Sequence, residues 1–316
     1  VQGLSSKLSL TLNTKTFMIC AGILAAGALL PRPSAGDSRI TTEFAITIKE
    51  LATMTESLPE QIRSGILASP GDFLHMVAGV LDERADLFVL VDKSHPLTRD
   101  FEPEDLVSLK AYSLSLFWGD VPIRKAIIPA VVELARAAKK SGITLVFSSG
   151  YRSFEYQKQV YAREVKNYGQ EMADLESARP GASQHQLGTA IDFGSITDAF
   201  AQTPAGKWLA AHAWEYGFSL SYPRGFEKIT GYRYESWHFR YITKAGTLLQ
   251  RTYFGDIQQY MLKFLNENRA SLESRRQRSP RRSLYNWARK NTRPNRKSMP
   301  APPISMILCR SESLSS

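Results

Sequence analysis

Apolar positions recur at helical spacing along much of the chain between residues 37 and 268. Residues 60–67 and 72–81 each carry a short amphipathic pattern. Ile127, Val131, Leu134, Ala135 and Ala138 mark one face of a longer helix, with Pro122 and Pro129 bracketing its start and Gly142 beyond its end. The same spacing predicts helices over 154–168, over 208–216 ahead of Gly217, and over 243–253 and 256–265. Strands are predicted at 87–91, at the β-branched run 143–147, at 218–222 and at 237–242. In the last of these, large aromatics alternate with His238 and Arg240. Helices and strands interleave without a regular βαβ rhythm, which points to an α+β fold in a single domain over 37–268. No internal repeat is visible.

The two ends differ from this body. Lys7 and Lys15 precede a mostly apolar run of 14 residues, 17–30, which Pro31 and Pro33 break. That length suits a signal-peptide core better than a spanning helix, which needs about 20 residues. Residues 1–36 are therefore expected to direct export, or to anchor the chain in a membrane if they are retained. Cys20 sits at the start of the run, whereas a lipid-bearing cysteine would follow it. At the other end, residues 269–316 are rich in Arg, Ser, Asn and Pro. Such a segment buries too little apolar surface to offset its ordering entropy, and it is predicted to be a disordered tail.

Charge and cysteine content narrow the chemistry. The chain has 316 residues and a net charge of +10. From Arg269 onward there are 12 Lys and Arg against 2 Asp and Glu, leaving 28 basic and 28 acidic residues in 1–268. The basic excess belongs to the tail, which would suit anionic wall polymers or lipid headgroups, or be solvated with no role. The balanced body gives no reason to expect specific nucleic-acid binding. The two cysteines, Cys20 and Cys309, lie outside the body. Thiol nucleophiles, cysteine zinc sites and internal disulfides are thereby excluded from it, so a metal there must be held by His and carboxylate.

Two segments carry such residues: Ser183-Gln-His185-Gln-Leu-Gly188-Thr-Ala-Ile-Asp192, and Glu235-Ser-Trp-His238. A catalytic zinc site takes three protein ligands and leaves a position for water. His185, Asp192 and His238 meet that requirement, and Glu235 is a carboxylate left over to take the water's proton. Each residue also has an ordinary reading: a hydrogen-bonded core histidine, a turn aspartate, a solvated glutamate at a strand end. The paired spacing favours a metal. Positions three apart on a regular strand face opposite sides, so Glu235 and His238 share one site only if the strand begins or bulges between them.

These segments, with Val91-Asp-Lys-Ser-His95-Pro-Leu, Ser149-Gly-Tyr-Arg152-Ser, Tyr156-Gln157 and Tyr216-Gly-Phe-Ser-Leu-Ser-Tyr222-Pro, resemble the VanY-type D-alanyl-D-alanine carboxypeptidases of the LAS zinc peptidase group. The resemblance spans roughly residues 86–255. It implies a small antiparallel sheet flanked by helices, and a zinc ion bound by His185, Asp192 and His238. It implies Glu235 as general base and then general acid, and Arg152 as the cation that holds the developing oxyanion. Ser183, Gln157 and Tyr222 become candidates for contacts to the substrate, and His95 is structural. The implied substrates are peptidoglycan stem peptides, with release of the terminal D-Ala outside the cytoplasm, in the periplasm or cell envelope. An L,D-carboxypeptidase acting on tetrapeptide stems would use the same residues, and a non-catalytic wall-binding module would not need Glu235. Mixed nitrogen and oxygen donors suit zinc but also accept cobalt or nickel.

Overall fold

The computed structural model of the chain describes residues 43–277. The expected export segment and the tail from residue 278 lie outside the described residues. Helices α1 (Ile48–Met54), α2 (Glu60–Ala68) and α3 (Pro70–Leu81) come first. They are followed by β1 (Leu106–Ser108), β2 (Ser115–Leu116), β3 (Pro122–Arg124), α4 (Ile128–Lys140) and β4 (Val146–Ser149). Then come α5 (Phe154–Tyr168), α6 (Gln170–Glu176), β5 (Ala190–Phe193), α7 (Pro204–His212), β6 (Phe218–Leu220) and α8 (Glu227–Thr230). Finally β7 (His238–Tyr241), α9 (Lys244–Tyr253) and α10 (Gln258–Arg275) close the described chain. None of the described helices is long and apolar enough to cross a membrane.

Local chemistry sets these boundaries. At α1, Thr47 Oγ1 accepts the Glu50 amide while Glu50 Oε2 accepts the Thr47 amide, a reciprocal cap. Pro129 stands in the first turn of α4, where a missing N–H costs nothing. Ser153 caps α5 by accepting the Tyr156 amide.

Five strands form one sheet in the order β2-β4-β5-β7-β6. Its pairs are antiparallel except β2 with β4, which is parallel at the edge. Strand alternation divides the sheet into an apolar and a polar face. Phe147 opposes Phe193, and Phe239 opposes Ile191 and Leu220. These side chains build the core, with ring centroids 5.1 Å apart for Phe147–Phe193 and 5.9 Å for Phe193–Phe239. The intervening positions are polar: Ser149 opposes Asp192, Asp192 opposes His238, and Arg240 opposes Ala190 and Ser219. A second aromatic cluster, Phe73, Tyr253, Phe254 and Phe264, ties α3 to α9 and α10.

Residues 87–91, predicted as a strand, are not one. A 3-10 turn at Ala85–Leu87 opens the segment, and the chain beyond it pairs with no strand. Its carbonyls serve a different group. The guanidinium of fully buried Arg240 donates to Leu87 O at 3.2 Å and Val89 O at 2.8 Å. An apolar run looks the same whether its carbonyls go to a neighbouring strand or to a buried arginine. The last helix also runs on past residue 268, where composition suggests the body ends. Leu272 is fully buried, Ala45 N–H donates to Arg275 O, and Phe44 bridges to Arg276, so the two ends of the described chain close on each other.

Candidate metal centre

Three side chains meet on the polar face of the sheet. Asp192 lies on β5 and His238 directly opposite on β7. His185 comes from a 3-10 turn, Gln184–Leu187, that leads into β5. Gly188 ends this turn at φ +67°, a conformation that side chains resist, and a Cβ there would meet Arg124 Cγ at 2.9 Å. Ser183 caps the turn by accepting the His185 amide. All three candidate ligands are buried.

The donor atoms stand at ligand spacing. His185 Nε2 is 3.2 Å from Asp192 Oδ2, and His238 Nδ1 is 3.1 Å from Asp192 Oδ1. The three ligand atoms fall within 4.8 Å of one another. Ligands about 2.0–2.1 Å from a tetrahedral zinc stand about 3.3 Å apart, so the spacing fits such an ion. The far ring nitrogens have partners of their own. His185 Nδ1–H donates to Gly150 O at 2.6 Å, and His238 Nε2–H donates to Gln184 Oε1 at 3.2 Å. Both lone pairs are thereby turned toward Asp192. Asp192 Oδ1 is buried without a hydrogen bond, an acceptor that a cation would satisfy.

The protonation states suit a cation as well. Burial, with Arg152 close by, pushes the His185 imidazolium down to a pKa of about 4, so the ring is neutral at pH 7. Burial alone would raise Asp192, but His185, His238 and Arg152 outweigh it and hold the carboxyl well below its usual range. The trio thus offers the neutral His185 imidazole, a second imidazole from His238 and one carboxylate, a donor set that zinc accepts.

Glu235 and Arg152 flank the trio. The Glu235 carbonyl accepts the His238 amide at 3.3 Å in a tight turn, and β7 begins only at His238. This meets the geometric condition drawn from the sequence: Glu235 Oε2 lies 3.7 Å from His238 Nδ1. Burial and then the neighbouring Asp192 push the Glu235 carboxyl up to about 8. Arg152 Nε donates to Ser149 Oγ at 3.0 Å and its Nη2 to Asp192 Oδ2 at 2.7 Å.

A cavity of about 430 Å³ opens on these groups. Ser183, Gln157 and Tyr222 line it too, together with Arg163, Glu164 and Arg233. Gln157 spends its amide N–H groups on Ser177 Oγ and Ala178 O, leaving Oε1 without a partner. The Tyr222 ring lies 4.8 Å from that of His238, and burial pushes its phenol well above the usual range. His95 is elsewhere, bonded to Asp92 Oδ1 at 2.8 Å, and His212 pairs with Glu215. Sequence reasoning missed Gln184 and the Gly150 carbonyl. Gln184 adjoins His185, but nothing in its spacing says that it faces His238. Arg233, paired to Glu176 and Asp198 and stacked over Trp237, was likewise not singled out.

Known proteins resemble the chain over this same region. The family model of the VanY D-alanyl-D-alanine carboxypeptidases matches residues 120–244. "Putative carboxypeptidase YodJ" of Bacillus subtilis (strain 168) is 33% identical over 224 residues, which cover 68% of this chain and 82% of that one. A D-alanyl-D-alanine carboxypeptidase of Enterococcus faecium is 28% identical over 179 residues, 55% of this chain and 56% of that protein. Among solved structures, the LdcB LD-carboxypeptidase superposes with a TM-score of 0.51 at 33% identity, over 57% of this chain and 86% of that one. With the ligand trio, the flanking Glu235 and the sheet that carries them already in place, these likenesses show that the chain belongs to the VanY family of D-alanyl-D-alanine carboxypeptidases.

Proposed function

We propose that the protein is a zinc-dependent carboxypeptidase that removes the terminal D-Ala from peptidoglycan stem peptides. The observation that carries this reading is the convergence of His185, Asp192, His238, Glu235 and Arg152 on one cavity. His185 would hold the ion through Nε2, His238 through Nδ1 and Asp192 through its carboxylate. When bound, zinc supplies a Lewis acid that lowers the pKa of a coordinated water to about 7 and polarises a carbonyl.

The chain's own groups do the rest. Glu235, ionised once a cation sits nearby, takes the proton from the attacking water and returns it to the departing amine. Its burial keeps its basicity high enough for that exchange. Arg152, held by Ser149 and Asp192 at the cavity wall, would offer its remaining N–H groups to the oxygen on which negative charge develops. The unpartnered Gln157 Oε1, the Ser183 hydroxyl and Tyr222 line the cavity as groups that would hold the substrate's peptide or its terminal carboxylate. Ser183 is a contact here and not a nucleophile, so no acyl-enzyme forms.

The substrate is a polymer outside the cytoplasm, so we place the enzyme in the periplasm or cell envelope. Residues 1–36 would then act as an export signal or a membrane anchor. A D,D-carboxypeptidase is the leading reading. The L,D reading is favoured by one observation, the likeness to an LD-carboxypeptidase. Incubating the purified, zinc-loaded chain with a pentapeptide stem ending in D-Ala-D-Ala and with a tetrapeptide stem separates them. Loss of one alanine mass from the pentapeptide alone supports D,D activity, and loss from the tetrapeptide alone replaces it with L,D activity. Loss from neither leaves a wall-binding module.

A further inference from the structure

Behind His238, away from the cavity, lies a chain of buried amides and one hydroxyl that the proposed chemistry does not use. Gln184, 2% exposed, receives His238 Nε2–H on Oε1. The same oxygen accepts Ser221 Oγ–H at 2.7 Å. The other end of the Gln184 amide donates from Nε2 to Gln258 Oε1 at 3.2 Å, and Gln258 is 1% exposed. Gln258 is the first residue of α10 and stands outside the segment matched by the family model.

We infer that Gln184, braced by Ser221 and Gln258, is a positioning residue that fixes His238 in the tautomer able to bind the metal. An imidazole offers a lone pair at Nδ1 only when its proton sits on Nε2, and that proton needs an acceptor. At a ring 3% exposed, a buried N–H left without an acceptor is costly, and a protein acceptor stands within reach. The Gln184 amide oxygen supplies it. Left alone, that amide could turn over and present its nitrogen to His238, which would favour the opposite tautomer. Ser221 and Gln258 bond its two ends separately and resist the turn. Helix α10 thereby acts on the metal centre through two hydrogen bonds in series, Gln258 to Gln184 and Gln184 to His238. The role rests on the metal reading proposed above.

The test uses the full chain with Gln184→Leu and Gln184→Glu. Leucine removes the acceptor at similar volume. Glutamate keeps it, and Gln258 Nε2, which has no partner, can rotate to donate to it. Zinc affinity, measured by competition with a chelator, should fall roughly 10- to 100-fold in Gln184→Leu and stay at or above the starting value in Gln184→Glu. A second readout needs no zinc. In metal-free protein labelled with 15N at histidine, the tautomer signal is the proton held on His238 Nε2, which should be slow to exchange in the parent and in Gln184→Glu, and fast to exchange in Gln184→Leu. Should the parent bind no zinc, the metal reading fails while the tautomer signal still decides this one. Should Gln184→Leu fail to fold, Ser221→Ala removes one brace and should weaken zinc roughly 2- to 10-fold, the worth of one hydrogen bond. Unchanged zinc affinity with an unchanged tautomer, in whichever of these two variants folds, overturns the inference.

Discussion

Glu235 and His238 are joined twice, by a backbone hydrogen bond of 3.3 Å from the His238 amide to the Glu235 carbonyl and by a 3.7 Å approach of Glu235 Oε2 to His238 Nδ1. The turn that makes the first contact enforces the second. It also holds Glu235 off the strand, so the carboxylate stands beside the ligand set while remaining outside it. In the proposed mechanism, a base so placed would be fixed relative to the ion without competing to bind it.

Replacing Glu235 by Gln should therefore separate binding from chemistry. The amide keeps the shape but has no basic oxygen to take a proton. Turnover of the stem peptide should fall by roughly 10²- to 10⁴-fold. Zinc content, read by elemental analysis, should stay at that of the parent. Hydrolysis at the parent rate would remove Glu235 from the mechanism.

Arg152→Lys tests the oxyanion role. Arg152 reaches Ser149 and Asp192 at once through a planar fork, and a single ammonium cannot span both. The expected loss is roughly 10²- to 10³-fold in kcat, with a smaller change in KM. A change confined to KM would make Arg152 a binding residue.

Much of this site was legible in the chain and some of it was not, for physical reasons. Helix α5 was predicted over 154–168 and occurs as Phe154–Tyr168, because Ser153 and Gly169 punctuate it in sequence. His185, Asp192, His238 and Glu235 stood out because metal-binding side chains are few and closely spaced in the two segments. What the sequence does not carry is which face of a residue meets which neighbour. Gln184 acts on a ring 54 positions away. Arg240 captures carbonyls more than 150 positions away and turns a predicted strand into irregular chain. Neither leaves a periodicity to detect. The extent of α10 escaped for a related reason: its last turn is polar and basic, and it is held by partners at the opposite end of the described chain.

Those partners make a truncation prediction. A chain ending at Gln277 retains fully buried Leu272, the Arg276–Asp82 ion pair at 2.8 Å, the Arg275–Glu50 ion pair and the backbone bonds to residues 43–45. A chain ending at Asn268 loses them all. Burying one leucine is worth roughly 1.5–3 kcal/mol, so the shorter chain should melt at least several degrees lower. The chain ending at Gln277 should melt with the full-length protein. Equal melting of the two truncations, followed by circular dichroism, would show that α10 past residue 268 adds no stability.

The metal-free protein should show a pH dependence that traces to Glu235 and His185. The Glu235 carboxyl titrates at about 8 when folded, against 4.5 for the unperturbed group, because burial and Asp192 disfavour its charge. Its contribution is complete below pH 4.5 and is lost as pH rises toward 8, since the folded chain holds a proton that the unfolded chain has released. His185 works the other way. Its folded value of about 4 lies below the unperturbed 6.5, so its contribution is complete above pH 6.5 and is lost as pH falls toward 4. Between about 4.5 and 6.5 the two slopes oppose and nearly cancel. Of these two groups, Glu235 alone contributes a slope from 6.5 to 8, and its share of the stability should decline by up to about 2 kcal/mol. Thermal melts in the presence of a chelator should therefore show a plateau and then a fall over this window, and Glu235→Gln should flatten the fall. A parent melting temperature that rises from pH 6.5 to 8 would mean that Glu235 is already ionised in the metal-free site.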